Sequence, residues 1–272
     1  MINEFLNYIS ITKAENTAVT YSQAMADMFP RGYVEPTREF VLDYIKTKKD
    51  QGRTISTIKS RLACLVSFMK YNRNVNYDVV EIFNSLKKVH KQQPIPTMED
   101  VQKFLEYAPS NKDRLMLIFA SLFGMRVSEI SNINMDDVVG NRIYIRDTKN
   151  NHDRYVFFGD YVQLELQAYL TERFDTSNAL FTTIHGRQTT KATQAMVSKL
   201  NDSLDMQYSP HAFRRFCCTE LKKNGADNTV IDRIIGHSEG CTGSYYIGNI
   251  DTLMVGALRK LEKVLLCPLN MH

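Results

Sequence analysis

The sequence predicts a mainly α protein with a small antiparallel β-sheet, divided into two domains. Three observations lead there. Apolar residues recur at helical spacing through most of the 272-residue chain. One pair of β-rich runs flanks a polar turn at KNNHD. Pro94 and Pro96 break the helical pattern between the two halves and favour an extended strap. The division is a helical domain at 1–89, a linker at 90–97 and a second domain at 98–272.

In the first domain, Ile2, Phe5, Leu6 and Ile9 mark one helical face. A second segment runs from Val19 to Phe29 and stops at Pro30. A third starts near Pro36–Thr37, buries Phe40, Val41, Tyr44 and Ile45, and ends before Gly52. Lys46, Lys48 and Lys49 fill its last turn, where cations suit the helix dipole and leave a basic rim. Ile55, Ile58, Leu62, Leu65, Val66 and Met69 define a fourth, and a short fifth spans 78–89. Thr97 with Asp100 reads as an N-terminal cap opening the second domain. Helices follow at 98–107 and 111–123, with a break at Gly124 and a short helix from Val127. NRIYIRDT and RYVFFG form a hairpin, and helices resume at 160–173, 191–204, 210–224, 227–235 and 251–266.

Composition narrows the function. Hydrophobic residues make up 43% of the chain, enough for real cores and too many for a disordered one. There is no apolar run long enough to span a membrane and no secretory signal pattern at the N-terminus. The five cysteines include the adjacent Cys217 and Cys218 but no C-x-x-C pair, which suits a reducing cytoplasm. Residues 1–91 hold 14 Lys/Arg against 9 Asp/Glu, and the remainder 20 against 21. A basic front half suits a nucleic-acid partner, although a surface fluctuation of this size is also ordinary.

Five segments of the second domain place a polar group at a structural break. In FGMRVSEI, Arg126 stands at a helix start, with Glu129 one turn in, able to orient a cation or form an i,i+3 ion pair. Lys149 lies in the hairpin turn, where it is either solvated or a proton donor once neighbouring cations lower its pKa. In YSPHAFRRF, Ser209 and Pro210 open a helix whose first turn presents His211 and Arg214 on one face, a proton carrier beside a phosphate clamp. Arg215 points about 100° away, toward surface or DNA backbone. His237 follows Gly236 at a helix end, and Tyr245 and Tyr246 lie beyond it. Each has an ordinary reading alone, as a turn cation, a capping His or a packing tyrosine. A tyrosine hydroxyl becomes a useful nucleophile only with cations and a base beside it.

Arg126 in G-M-R-V-S-E-I, Lys149 in the turn, H-A-F-R at 211–214, G-H at 236–237 and Tyr246 resemble, in order and spacing, the active-site set of the tyrosine recombinases. The resemblance covers about residues 98–250, and the first domain is similar in character to the family's core-binding domain without a specific motif. It implies a two-domain clamp on double-stranded DNA, with 98–272 as the catalytic domain. In the family the nucleophile usually follows the G-H histidine by nine residues, which selects Tyr246 over Tyr245. The chain departs from the family at Arg215, where many members have His, and at Ile247 and Gly248 after the nucleophile. The implied reaction is attack by Tyr246 on a backbone phosphate, giving a 3′-phosphotyrosine and a free 5′-hydroxyl. Arg126 and Arg214 clamp the phosphate, Lys149 protonates the leaving oxygen, His211 exchanges the tyrosine proton and His237 binds a nonbridging oxygen. No cofactor and no metal is implied.

The same resemblance implies short inverted half-sites and a homotetramer on two duplexes, with a monomer or weak oligomer when free. Leu253, Met254, Leu258, Leu261, Val264 and Leu265 form a terminal stripe that docks either on a neighbouring subunit or on its own domain. A separate arm-site module ahead of the helical domain is not expected. An integrase or excisionase of a virus, plasmid or other mobile element is the expected role, acting in the cytoplasm of a prokaryotic or virus-infected cell. Xer-like dimer resolution is the alternative. A type IB topoisomerase or a silent DNA-binding protein fits less well, given the small first domain and the intact set.

Overall fold

The computed structural model describes residues 1–87, 93–146, 153–236 and 249–267. The chain divides into two units, Met1–Gln92 and Gln93–His272.

Among the described residues, the first unit holds α1 (Ile2–Thr12), α2 (Glu15–Met28), α3 (Arg38–Asp50), α4 (Ile55–Tyr71) and α5 (Tyr77–Ser85). The other four helices all pack on α4, or on a helix that does. Its Ile58, Leu62, Leu65 and Phe68 are buried at helical spacing. Thr37 and Thr54 start α3 and α4 by accepting the N–H of Phe40 and Thr57. Two boundaries differ from the sequence expectation. The second helix begins at Glu15 rather than Val19, and Val19 itself is exposed. The buried stripe there is Ala24, Met25 and Met28, so Val19 belongs to the outer face. The fifth helix stops at Ser85 rather than 89, and Lys59 Nζ takes the carbonyl of Leu86 at 2.6 Å where a helical N–H would otherwise bond.

The second unit opens with α6 (Met98–Glu106), set by a reciprocal cap between Thr97 and Asp100. Next come α7 (Asn111–Leu122), α8 (Val127–Asn132) and a 3₁₀ turn at Met135–Asp137. Strands β1 (Val138–Val139), β2 (Arg142–Ile145) and β3 (Arg154–Phe157) form an antiparallel sheet in that order. They lead into α9 (Asp160–Thr171), a small hairpin of β4 (Thr182–Thr183) and β5 (Gly186–Arg187), and α10 (Thr190–Leu204). The described chain closes with α11 (Pro210–Lys223), α12 (Asn228–Ile235) and α13 (Ile250–Leu266).

The centre of this unit is α7, buried at every position from Leu115 to Leu122 and packed by α6, α8, α9, α11 and α13. Such a helix is apolar all round because it has no solvent face. In the sheet, Ile143 pairs with Val156 and Ile145 with Arg154. These four residues are buried, whereas Arg142 and Tyr144 on the alternate positions are exposed. A guanidinium therefore sits on the core face of β3. The two-residue strands β1, β4 and β5 add to the expected hairpin, each shorter than any run that alternation can reveal.

Helix α13 packs into its own unit. Met254, Leu258, Leu261 and Leu265 of the terminal stripe are buried in the core, and Leu253 and Val264 remain exposed. A buried carboxylate fastens it. Glu262 accepts the N–H of Gly159 at 2.7 Å and of Val162 at 3.0 Å, satisfying the first turn of α9. Burial pushes its carboxyl above the ordinary 4.5, and the backbone donors act against that rise. Removing the side chain strands both donors. The Glu262→Ala variant is expected to lose about 2 kcal/mol of unfolding free energy in urea titrations.

Candidate active site

The site is assembled around Glu129. Helix α7 ends at Leu122, and Gly124 follows with φ +60°. A Cβ at Gly124 would lie 2.9 Å from Ile235 Cγ2, so both the left-handed backbone and the close contact require glycine. The turn delivers Arg126 to the N-terminus of α8. One turn later the Glu129 carboxylate folds back, accepting the Arg126 N–H at 2.7 Å and Arg126 Nη1 at 2.6 Å. The same carboxylate takes a two-pronged bond from Arg154 of β3, Nη1 to Oε1 at 3.0 Å and Nη2 to Oε2 at 2.9 Å. Arg154 Nε donates to the Ile234 carbonyl at the end of α12, at 2.9 Å.

Arg214 of α11 is the third guanidinium. Its Nη1 donates to the Gly124 carbonyl at 2.6 Å and lies 4.0 Å from Glu129 Oε2. Its Nη2 is buried with no hydrogen-bond partner among the described residues. Arg126 is about one-third exposed, whereas Glu129, Arg154 and Arg214 are buried.

Among the described residues, three guanidiniums thus share one carboxylate, and two of them, Arg154 and Arg214, lie out of water. Burial works to raise the Glu129 pKa, but the hydrogen bond and charge of Arg154 and the contact with Arg126 outweigh it and hold it below 4.5. Burial lowers the Arg214 pKa to about 10, helped by the charges of Arg126 and Arg154 and opposed by Glu129. Arg214 stays protonated at neutral pH, in surroundings that an added anion would relieve.

The structure brings Arg126, Glu129 and Arg214 together. His211 is exposed on the first turn of α11, the same helix as Arg214. Ser209 is the N-cap and Pro210 the first residue of that helix, but the Ser209 hydroxyl makes no capping bond. Lys149, His237, Tyr245 and Tyr246 lie outside the described residues. Arg215 is half-buried and donates to the Pro94 carbonyl at 3.2 Å, tying the strap to α11. In the first unit, Lys46 and Lys49 are exposed, whereas Lys48 is taken up by Asp27 at 2.7 Å. Sequence reasoning missed Arg154. Its signal was present: alternation along RYVF puts Arg154 on the side of Val156, and an inward arginine needs a carboxylate.

The model of the phage integrase family matches residues 96–251, more than half of the chain. The chain belongs to this family of tyrosine recombinases. As a tyrosine recombinase it cleaves and rejoins DNA through a phosphotyrosine intermediate, without metal or ATP. It is 25% identical over 254 residues to tyrosine recombinase XerA of Pyrococcus horikoshii, covering 90% of this chain and 88% of that one. Tyrosine recombinase XerD of Oceanobacillus iheyensis is 24% identical over 275 residues, covering 90% and 92%. Among solved structures, a lambda integrase (75–356) dimer bound to a COC′ core site shares the fold, with a TM-score of 0.74 and 12% identity over 88% of this chain and 94% of that one. The Tn1549 transposon integrase in complex with circular intermediate DNA gives 0.69 and 16% identity, over 88% and 92%.

The lowered Glu129 pKa has a definite sign. Its ionised form contributes stability above the ordinary value of 4.5, and that contribution is lost as pH falls through the lowered folded-state value. Glu129→Gln is expected to cost about 3 kcal/mol at neutral pH, because it leaves buried guanidiniums uncompensated. Urea unfolding across pH should show that deficit at full size above 4.5 and closing at more acid pH.

Proposed function

We propose that Arg126, Lys149, His211, Arg214, His237 and Tyr246 form the strand-transfer site of this tyrosine recombinase, with Tyr246 as nucleophile. The gathering of Arg126 and Arg214 about one carboxylate carries the reading. Each guanidinium offers a fork to the nonbridging oxygens of the scissile phosphate and stabilises the charge that builds in the pentacoordinate transition state. Arg214, buried with no partner for its Nη2 among the described residues and with a depressed pKa, is suited to take up an anion. His211 takes the Tyr246 proton on attack and returns it on reversal. Lys149 protonates the departing 5′ oxygen, and His237 donates to a nonbridging oxygen. The phosphotyrosine keeps the energy of the broken bond, so a second 5′-hydroxyl can reseal the strand.

The partner is double-stranded DNA with short inverted half-sites, bound by a homotetramer holding two duplexes in the cytoplasm. A lambda integrase tetramer bound to a Holliday junction is among the structures sharing this fold, which supports the assembly. The role is integration or excision of a mobile element, consistent with the lambda and Tn1549 integrases among the structural neighbours. One observation favours a second role, resolution of chromosome or plasmid dimers: XerA and XerD recombinases match along 90% of the chain. Selection of cleaved sites from random DNA separates the two. A consensus found at the ends of a mobile element supports the first, and one found in the host chromosome the second.

A nicked suicide substrate tests the chemistry. Wild type should form a covalent adduct, Tyr246→Phe should bind DNA without forming it, and Tyr245→Phe should remain active. Swapped outcomes for the two tyrosines would move the nucleophile by one residue. Arg214→Ala should slow adduct formation by about 10²–10³-fold.

A further inference from the structure

We propose that Arg154 is a positioning residue for strand transfer, acting through Glu129; this rests on the site reading above. Arg154 touches no surface from which DNA could approach: its side chain is 3% exposed. It occupies a core-facing position of β3, paired across the sheet with Ile145, where an apolar side chain would avoid the cost of burying a charge. What it does there is fix the Glu129 carboxylate. Both oxygens are engaged, Oε1 by Arg154 Nη1 and Oε2 by Arg154 Nη2, so the carboxylate plane cannot turn.

Two consequences follow for the phosphate clamp. The orientation held by Arg154 is the one in which Oε1 receives Arg126 Nη1 and Oε2 receives the Arg126 N–H. It also keeps Oε2 at 4.0 Å from Arg214, whose Nη1 stays on the Gly124 carbonyl. Without Arg154, the freed carboxylate would turn toward Arg214 and neutralise the cation meant for the phosphate. The fork is itself held in place. Nε is anchored to the Ile234 carbonyl, and a Cβ at Gly236 would lie 2.8 Å from Arg154 Nη1. The glycine of the G-H pair is thus the space in which this guanidinium lies.

The test uses the full chain on a nicked suicide substrate, with single-turnover cleavage, DNA affinity and thermal melting read for each variant. Arg154→Gln should cleave about 10–100-fold more slowly than wild type while binding DNA as tightly. Arg154→Lys, which keeps the cation but reaches one oxygen, should recover part of the loss. On a Glu129→Gln background, Arg154→Gln should add no more than about twofold, because the residue it acts through is already altered. The proposal is overturned if Arg154→Gln folds and cleaves normally, if affinity falls with cleavage, if Lys does no better than Gln, or if the two losses multiply. Failure of both variants to fold would also overturn it, making Arg154 structural only. A wild type that forms no adduct would end the strand-transfer reading itself, a result distinct from wild-type cleavage with unaffected Arg154 variants.

Discussion

A single buried carboxylate, Glu129, faces guanidiniums from three elements: Arg126 at the head of α8, Arg154 on β3 and Arg214 on α11. Taking these charges out of water is costly, and their mutual attraction offsets that cost only while the geometry is kept. The ion group therefore sets the register of the elements that carry it. Strand β3 must present Arg154 inward, α8 must begin at Arg126 so that Glu129 is one turn in, and the Gly124 turn must offer its carbonyl to Arg214. A helical bundle with a small sheet could be packed in many ways by apolar contact alone. This arrangement selects among them and gathers positive charge where α8, β3 and α11 meet.

Much of this was legible in the sequence, for identifiable reasons. Thr97 with Asp100 and Pro210 marked helix starts through local chemistry that tertiary structure does not override. The β-branched and aromatic residues of RIYI and RYVF, on either side of a polar turn, marked the hairpin. Arg126 and Arg214 stood out because they sit beside breaks, where backbone groups and side chains converge. Other features depend on what folds opposite them. Lys48 reads as part of a basic rim until Asp27 of α2 comes within 2.7 Å. Arg215 reads as a surface cation until Pro94 offers its carbonyl. Val19 fits a helical period, but only the packing of α2 shows that Ala24, Met25 and Met28 are the face that counts. Arg154 lay between these cases: its inward direction could be read, and its partner could not.

The two ends of the second unit are tied down by different means. At its start, the strap is held by Arg215 and by the cap at Thr97, and Tyr208 donates to Asp100 at 2.9 Å from the loop before α11. At its end, Gln102 donates to the Val264 carbonyl and Glu262 closes the first turn of α9. Tyr155 adds a bond to Asp251 at 2.9 Å, near the start of α13. Helix α13 is therefore held near its start through Asp251 and near its end through Glu262 and Val264.

Helix α11 gives closely spaced residues different surroundings. His211 faces out, Arg214 reaches Gly124, Arg215 holds the strap, and Cys217 donates its thiol to the Leu122 carbonyl. Each further residue turns the helix by about 100°, so one inserted or deleted residue between 211 and 217 would rotate at least one of these groups off its partner. The contacts of Arg214, Arg215 and Cys217 therefore fix the length of this stretch. Change in length is left to the loops, which makes α11 the fixed ruler against which insertions elsewhere in the catalytic unit are accommodated.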